Sequence, residues 1–356
     1  MSWAAQKLLV RVRGRDREIE VSLPGGRPVG SLLPGLVAIC EGVDPDAATT
    51  SGWRLVNDEG RELSLGGTLL GAGVSDGASL RLRPPGRDVE TPGERRRRLD
   101  QAIRSNSISP GLTVAVASPK GGVGKTTIAL LLGTLLARAR SDWVIAIDAD
   151  PDYGTLGRTL RGGRPMFVDE LADLAEQPAL TSAMLDRHLA RGPEGLIVVP
   201  APVDPLHMDN LDETAYRKVI PFVARLAPIV VIDCGAGMRS AATRAAVDLA
   251  DQLVLVTDPE PPTVSLVGEA ARVLARDRPY ALVVNKVPRT GIDRNRIVDV
   301  VPGAHALVEV AAHPELARRL TAGDLPWDAM PPGWHGAARE LAAGLIAGWE
   351  AAAAVN

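Results

Sequence analysis

The densest chemical signal in this chain is the run Ser118-Pro-Lys-Gly-Gly-Val-Gly-Lys-Thr-Thr127, set between the apolar stretches Leu112 to Ala117 and Ile128 to Leu136. A strand, a glycine-rich turn and a helix in that order make a phosphate cradle. The glycines Gly121, Gly122 and Gly124 let backbone N–H groups converge on an anion at a helix N-terminus. Lys125 is expected against the β and γ phosphates, and the Thr126 hydroxyl is expected to ligate Mg²⁺. Val123 and Thr127 complete the expected cradle. The motif predicts a nucleoside triphosphate as ligand, with Mg²⁺ beside it.

Other positions gather at expected strand ends. Asp148 and Asp150 follow an apolar strand in Ile147-Asp-Ala-Asp-Pro-Asp152. Open α/β sheets place their ligands in loops at the carboxyl ends of parallel strands, so both carboxylates should face the cradle. An Asp-Pro turn is the competing reading. Ile229-Val-Val-Ile-Asp233 is a second apolar strand ending in a carboxylate, and it gains meaning only from its order after the cradle. Asn285 closes Ala281-Leu-Val-Val-Asn. Its amide can donate and accept at once, although turn formation competes. Cys234 reads as a small packing residue, and the five scattered histidines have no metal-binding spacing.

The first standard glycine of G-x-x-x-x-G-K-[ST] is replaced by Pro119, and Lys120 precedes the glycines. The resulting x-K-G-G-x-G-K-[ST]-[ST] resembles the deviant P-loop of the ParA/MinD ATPases. That resemblance implies an ATP-dependent homodimer in which Lys120 reaches the phosphates held by the other subunit. Through the family's Asp-x-Asp-Pro pattern it assigns Asp150 to the attacking water and Asp148 to the Mg²⁺ shell. It gives Asp233 the Mg²⁺ through water, Cys234-Gly-Ala-Gly237 the sensing of the γ-phosphate, and Asn285 the adenine edge. Lys120, Lys125 and Asp150 are thus the expected catalytic group, while Asp152 has no assignment. The loop at Ala312 and His313 is a candidate lid over the base. The resemblance extends through most of residues 111 to 350, and Lys120 to Thr127, Asp148 to Leu156, Val231 to Gly237, Ala250 to Pro259 and Val283 to Lys286 look most like the EspI-like branch associated with type VII secretion.

These residues need strands and helices to hold them. From Leu112 onward, apolar strand candidates at 112–117, 143–147, 196–199, 229–232, 253–256, 281–284 and 307–310 alternate with helical segments. That alternation predicts an α/β domain with a doubly wound, mostly parallel sheet over residues 111–356. The first 84 residues have a different rhythm. Two alternating strands, 8–12 and 18–23, precede a helical pattern over 29–41 and further strands at 53–56 and 80–82. This order predicts a β-grasp fold. The phrase from Thr68 to Pro84 is similar to the ubiquitin-like domain of the EccD/YukD proteins, which implies a docking module. Pro84 and Pro85 argue against conjugation. Residues 85–110 read as a linker, with a short helix carrying Leu99 and Ile103 beside Arg95 to Arg98. The four arginines read first as a solvated face.

Composition sets the outer limits. The chain has 356 residues, 46% hydrophobic and 23% charged, with net charge −3 and pI near 6.0. Such a balance argues against a surface adapted as a whole to nucleic acid or anionic membrane. Two cysteines fit a reducing cytoplasm, and no signal-peptide pattern or membrane-length apolar run is seen. The expected function is an ATP-hydrolysing molecular switch coupled to a protein partner, with type VII secretion components as the partner class. A partition ATPase binding DNA nonspecifically and a nucleotide-dependent scaffold with little hydrolysis are the alternatives. Membrane binding through the C-terminus is not expected, because Ala342 to Asn356 contains no Lys or Arg.

Overall fold

Alternation along β1 (Lys7–Arg13) buries Leu8, Val10 and Val12 and leaves Lys7, Leu9, Arg11 and Arg13 exposed. This period of two is what a sheet packed on one face requires. The computed structural model describes residues 6–14, 17–42, 52–58, 60–84, 92–105, 108, 111–151, 154–160, 165–176, 185–186, 188–202, 211–274 and 278–353. The expected turn residues Arg15 and Asp16, the linker residues Pro85 and Gly86, and Asp152 lie outside them. The chain divides into two units between Arg95 and Arg96.

In the first unit β1 pairs antiparallel with β2 (Glu18–Pro24), while β3 (Arg54–Asn57) pairs antiparallel with β4 (Ser79–Arg83). A parallel pairing of β1 with β4 joins the two hairpin-like pairs in the order β2-β1-β4-β3. The helix Val29–Glu41 lays Val29, Leu33, Leu36, Val37 and Cys40 against Val10, Leu55, Leu80 and Leu82. It ends where Gly42 adopts φ +67°, with its N–H returned to the Ala38 carbonyl. A left-handed cap of this kind suits glycine. The arrangement is the ubiquitin-like sheet and helix expected from the sequence.

The second unit is built on a sheet of eight described strands in the order β12-β11-β10-β5-β9-β6-β8-β7. These are β5 (Leu112–Ala117), β6 (Val144–Ala149), β7 (Ala190–Arg191), β8 (Ile197–Val199), β9 (Ile229–Cys234), β10 (Gln252–Thr257), β11 (Tyr280–Val287) and β12 (Ala306–Ala311). The pairings are parallel, except that β7 runs antiparallel to β8. Every residue of β5, β6, β9 and β10 is buried. Their continuous apolar runs follow from helices covering both sheet faces.

On one face Ile145, Ile147, Val230 and Ile232 pack with Tyr216, Val219 and Ala245. On the other, Val114, Val116, Val231 and Val254 pack with Ile128, Leu132, Trp334 and Leu341. The helix Lys125–Ala139 is buried from Thr127 to Leu136, and the helix Pro332–Ala353 covers it. Among the described residues no helix is long and apolar enough to cross a membrane.

The segment read as a linker holds the helix Pro92–Ser105. Its Leu99 and Ile103, with Ile108, are buried in the second unit's core. Arg339 Nε lies 2.6 Å from Asp100 Oδ1, and Arg140 donates to the Ile103 carbonyl at 2.8 Å. Arg95 to Arg98 are exposed, and Arg96 comes within 3.7 Å of Asp100. This helix is therefore core material for the second unit rather than a free tether.

A fragment starting at residue 111 should accordingly melt below one starting at residue 92. Three buried apolar side chains are lost, each worth about 1.5–3 kcal/mol. The midpoint should fall by roughly 10 °C. Equal melting temperatures in scanning calorimetry would contradict the packing role of the helix.

Candidate nucleotide-binding site

The strand order brings the motif residues together. β9 lies between β5 and β6, so Asp233 stands opposite Val116 on one side and Asp148 on the other. The chain leaves β5 at Ser118, turns through the glycines and enters a helix at Lys125. Gly122 has φ +74° and Gly124 φ +98°, conformations in which a Cβ is strained. Gly124 caps the helix without a side-chain acceptor, which leaves first-turn N–H groups for an anion.

The end of β11 fixes the loop from outside. Asn285 Nδ2 donates to the Val123 carbonyl at 2.8 Å, and Lys286 Nζ donates to the Gly122 carbonyl at 2.6 Å. Because the peptide plane is rigid, drawing those carbonyls toward β11 aims the N–H groups of Val123 and Gly124 the other way. A Cβ on Gly124 would stand 2.2 Å from Asn285 Nδ2. Lys286 itself has φ +61° at the irregularity where β11 shifts register against β12. That left-handed conformation costs about 1 kcal/mol or more in a residue with a side chain. The sequence resemblance includes Lys286 in the segment Val283 to Lys286 but gives it no role of its own.

Below the cradle lie two buried carboxylates. Asp148 and Asp233 are 1% and 2% exposed and are direct partners across β6 and β9. Asp148 accepts from the Asp150 amide at 3.1 Å and the Leu156 amide at 3.0 Å. Burial and the Asp233 charge nevertheless push its carboxyl well above the usual range. Burial raises Asp233 to about 7, against the opposing pull of the Thr126 hydroxyl and the Lys125 ammonium. Asp233 Oδ1 has no hydrogen-bond partner among the described residues.

A buried oxygen without a partner, beside a second carboxylate and a threonine hydroxyl, is a hard donor set that suits Mg²⁺. That ion binds one or two carboxylates and takes its remaining ligands from phosphate and water. No cage of three or more His, Cys, Asp or Glu exists among the described residues, and a phosphate-bound Mg²⁺ needs none.

Tyr216 was also missed by the sequence reading. The helix Glu213–Ala224 starts where Asp212 accepts from the Ala215 amide at 2.9 Å. Its first turn presents Tyr216, whose hydroxyl donates to the Asp148 carbonyl at 3.2 Å. This bond anchors the end of β6 from beneath.

Asp150 is half-buried above the pair. Its carboxyl lies against the loop after β9, where a Cβ on Gly235 would come within 3.0 Å of Asp150 Cγ. The Gly235 amide also donates to the Ala149 carbonyl at 3.2 Å, tying that loop to β6. Burial pushes the Cys234 thiol upward, which fits packing rather than nucleophilic chemistry.

Lys120 follows a different path from Lys125. Its Nζ donates to Thr263 Oγ1 at 2.6 Å and lies 3.6 Å from Asp258 Oδ2, both in the same chain. Asp258 follows β10 and precedes Pro259, as Asp150 follows β6 and precedes Pro151, so the sequence marks it in the same way. His313 stacks edge-on to Trp334 with centroids 5.8 Å apart. The neighbouring Ala312 amide donates to the Val287 carbonyl at 2.9 Å.

Both units have counterparts among known proteins. Residues 9–82 match the family described as WXG100 protein secretion system (Wss), protein YukD. Residues 114–318 match the CobQ/CobB/MinD/ParA nucleotide binding domain. The chain is 31% identical over 166 residues to an uncharacterised ATP-binding protein of Methanocaldococcus jannaschii, covering 46% of this chain and 58% of that one. It is 32% identical over 143 residues to the ESX-1 secretion-associated protein EspI of Mycobacterium tuberculosis, covering 40% of this chain but 21% of EspI. The chain thus spans less than two thirds of the length of either relative.

The septum site-determining protein MinD of Pyrococcus horikoshii, solved with Mg-ADP, shares the fold. Its TM-score is 0.54 at 21% identity, over 69% of this chain and 98% of that one. The chain belongs to the CobQ/CobB/MinD/ParA nucleotide-binding family and carries a YukD-type, ubiquitin-like domain at its amino-terminal side.

Proposed function

We propose that the chain is an ATP-dependent dimerising switch that hydrolyses ATP and passes the state of its site to a protein partner through the first domain. The observation that carries the reading is the Asp148 and Asp233 pair, buried on adjacent strands beneath Lys125 and Thr126, with one Asp233 oxygen unpartnered among the described residues. Two buried carboxylates are costly without a cation, so the arrangement makes sense as half of a metal–phosphate site.

In this reading Lys125 and the loop N–H groups bind the phosphates of ATP. Thr126 and Asp233 hold Mg²⁺, with Asp148 in its surrounding shell. When bound, the ion neutralises charge on the β and γ phosphates. Asp150 orients the attacking water from its half-buried position. Asn285 was expected at the adenine edge, but its amide nitrogen is engaged with the Val123 carbonyl. We therefore assign it first to shaping the cradle.

Lys120 is the residue expected to act across a dimer. In the single chain its ammonium rests on Thr263 and near Asp258, and a second subunit's phosphates would have to outbid that contact. The likeness to EspI and the YukD-type domain together support a role as an accessory of type VII secretion, with components of that machinery as partners.

Lys125→Ala should abolish ATP binding in calorimetry, since clustered phosphate charge is left uncompensated. Unchanged affinity would refute the cradle assignment. Asp150→Ala should bind ATP normally and turn it over at least about tenfold more slowly, because orienting water matters in the transition state. Wild-type turnover in this variant would remove Asp150 from the mechanism. Lys120→Ala should keep nucleotide binding by the single subunit but lose ATP-induced dimerisation in light scattering. A wild-type dimer signal would show that Lys120 does not cross an interface.

A further inference from the structure

The outer face of the first domain's sheet is strongly and unevenly charged. Strand register puts Lys7, Leu9, Arg11 and Arg13 of β1 on that face, with Ser79, Arg81 and Arg83 of β4 and Arg54 of β3. The register sets Arg13 directly opposite Arg81, and Arg54 directly opposite Arg83. Like charges in directly opposed positions destabilise a sheet. Arg54 is relieved by Glu62 at 2.9 Å. Among the described residues no ion pair joins Arg11, Arg13, Arg81 or Arg83 to a carboxylate. Arg83 Nε is moreover shielded from solvent and lacks a hydrogen-bond partner among the described residues. The face is therefore a net cationic surface whose like-charge oppositions, Arg13 with Arg81 and Arg54 with Arg83, work against the pairing of β1, β3 and β4.

We propose that this sheet face is the docking surface of the first domain, and that its occupant is an acidic protein segment carrying an apolar residue among its carboxylates. The proposal rests on the docking role given to that domain above. Charge complementarity selects the carboxylates, which arginine forks bind in bidentate fashion. Leu9, 44% exposed within the patch, supplies the apolar contact.

A protein fits this face better than a nucleic acid. The four strands carry no aromatic side chain on which a base would stack. Glu20 and Glu18 stand opposite Arg11 and Arg13 on the same face and offset part of the charge of β1. They also bound the cationic strip on the β2 side, so an acidic segment is directed over β1, β4 and β3.

The test uses the full chain and three fluorescein-labelled probes: a synthetic peptide alternating Glu and Leu, its Lys and Leu counterpart, and a DNA duplex. Fluorescence anisotropy should show salt-sensitive binding of the Glu/Leu peptide alone, weakened about tenfold or more by Arg13→Glu combined with Arg81→Glu. The milder Arg81→Gln should weaken the peptide while slowing amide hydrogen exchange in β1 and β4, because it removes a like-charge opposition. Faster exchange together with lost binding would mean that Arg81 is structural, and would overturn the proposal. So would peptide affinity indifferent to these variants, preference for the Lys/Leu peptide, or duplex binding that disappears with the same substitutions. ATP affinity, read in parallel, should be unchanged in every variant, and its loss would also overturn the assignment of this face. If the wild-type chain bound no ATP but still bound the acidic peptide in this manner, the switch reading would fail while the docking surface stood.

Discussion

Placing two carboxylates side by side in the interior is the constraint on which the second unit is organised. Asp148 and Asp233 sit at matching heights on neighbouring parallel strands, nearly out of water, with burial raising both toward neutrality. Such a pair is tolerable only where cationic or donor groups can face it. Lys125 and Thr126 do so from the first turn of a helix, which must begin immediately above the sheet. That requirement fixes the tight glycine turn and the burial of the following helix. It also explains the central position of β9, the strand that carries Asp233 between the cradle strand and the Asp148 strand.

Support for this centre comes from unexpectedly far along the chain. Tyr216 reaches up to the Asp148 carbonyl, Asn285 and Lys286 grip the loop carbonyls, and Thr263 holds Lys120. These contacts cross between elements separated by 68 to 164 residues. The crossing order of the sheet makes them neighbours: β10 and β11 lie on one side of β5, while β9 and β6 lie on the other. The site is thus a property of the topology as much as of its motif.

Much of this was legible beforehand. The apolar runs of β5, β6, β8, β9, β10 and β11 stood out because strands covered on both faces cannot alternate, β12 showed as a short apolar run although only Val308 and Val310 are buried, and the strong glycine motif located the cradle. Short or mixed elements were less visible. β7, with two residues, has no period to read, and the helices Glu213–Ala224 and Arg294–Val300 were not anticipated. Tyr216 was invisible because its partner is a backbone carbonyl on another element, which leaves no spacing in the sequence. The helix Pro92–Ser105 was seen, but its attachment was not. Two apolar residues among arginines are equally consistent with a tether, and only the opposing surface around Arg140 and Arg339 decides the matter.

Three of the site's side chains are pressed against glycines. A Cβ at Gly124, Gly154 or Gly235 would meet Asn285, Asp148 or Asp150 at 2.2, 2.5 or 3.0 Å, respectively. At each place the functional group abuts the glycine main chain itself. Rotamer adjustment therefore gives little slack, since the displaced group would have to leave its hydrogen bonds. Even an added methyl group would be transmitted to a donor or carboxyl of the centre. Change in this centre by single substitutions is correspondingly restricted, and new chemistry on this scaffold is more accessible at its rim, where Lys120, Asp258 and Thr263 meet through side chains alone.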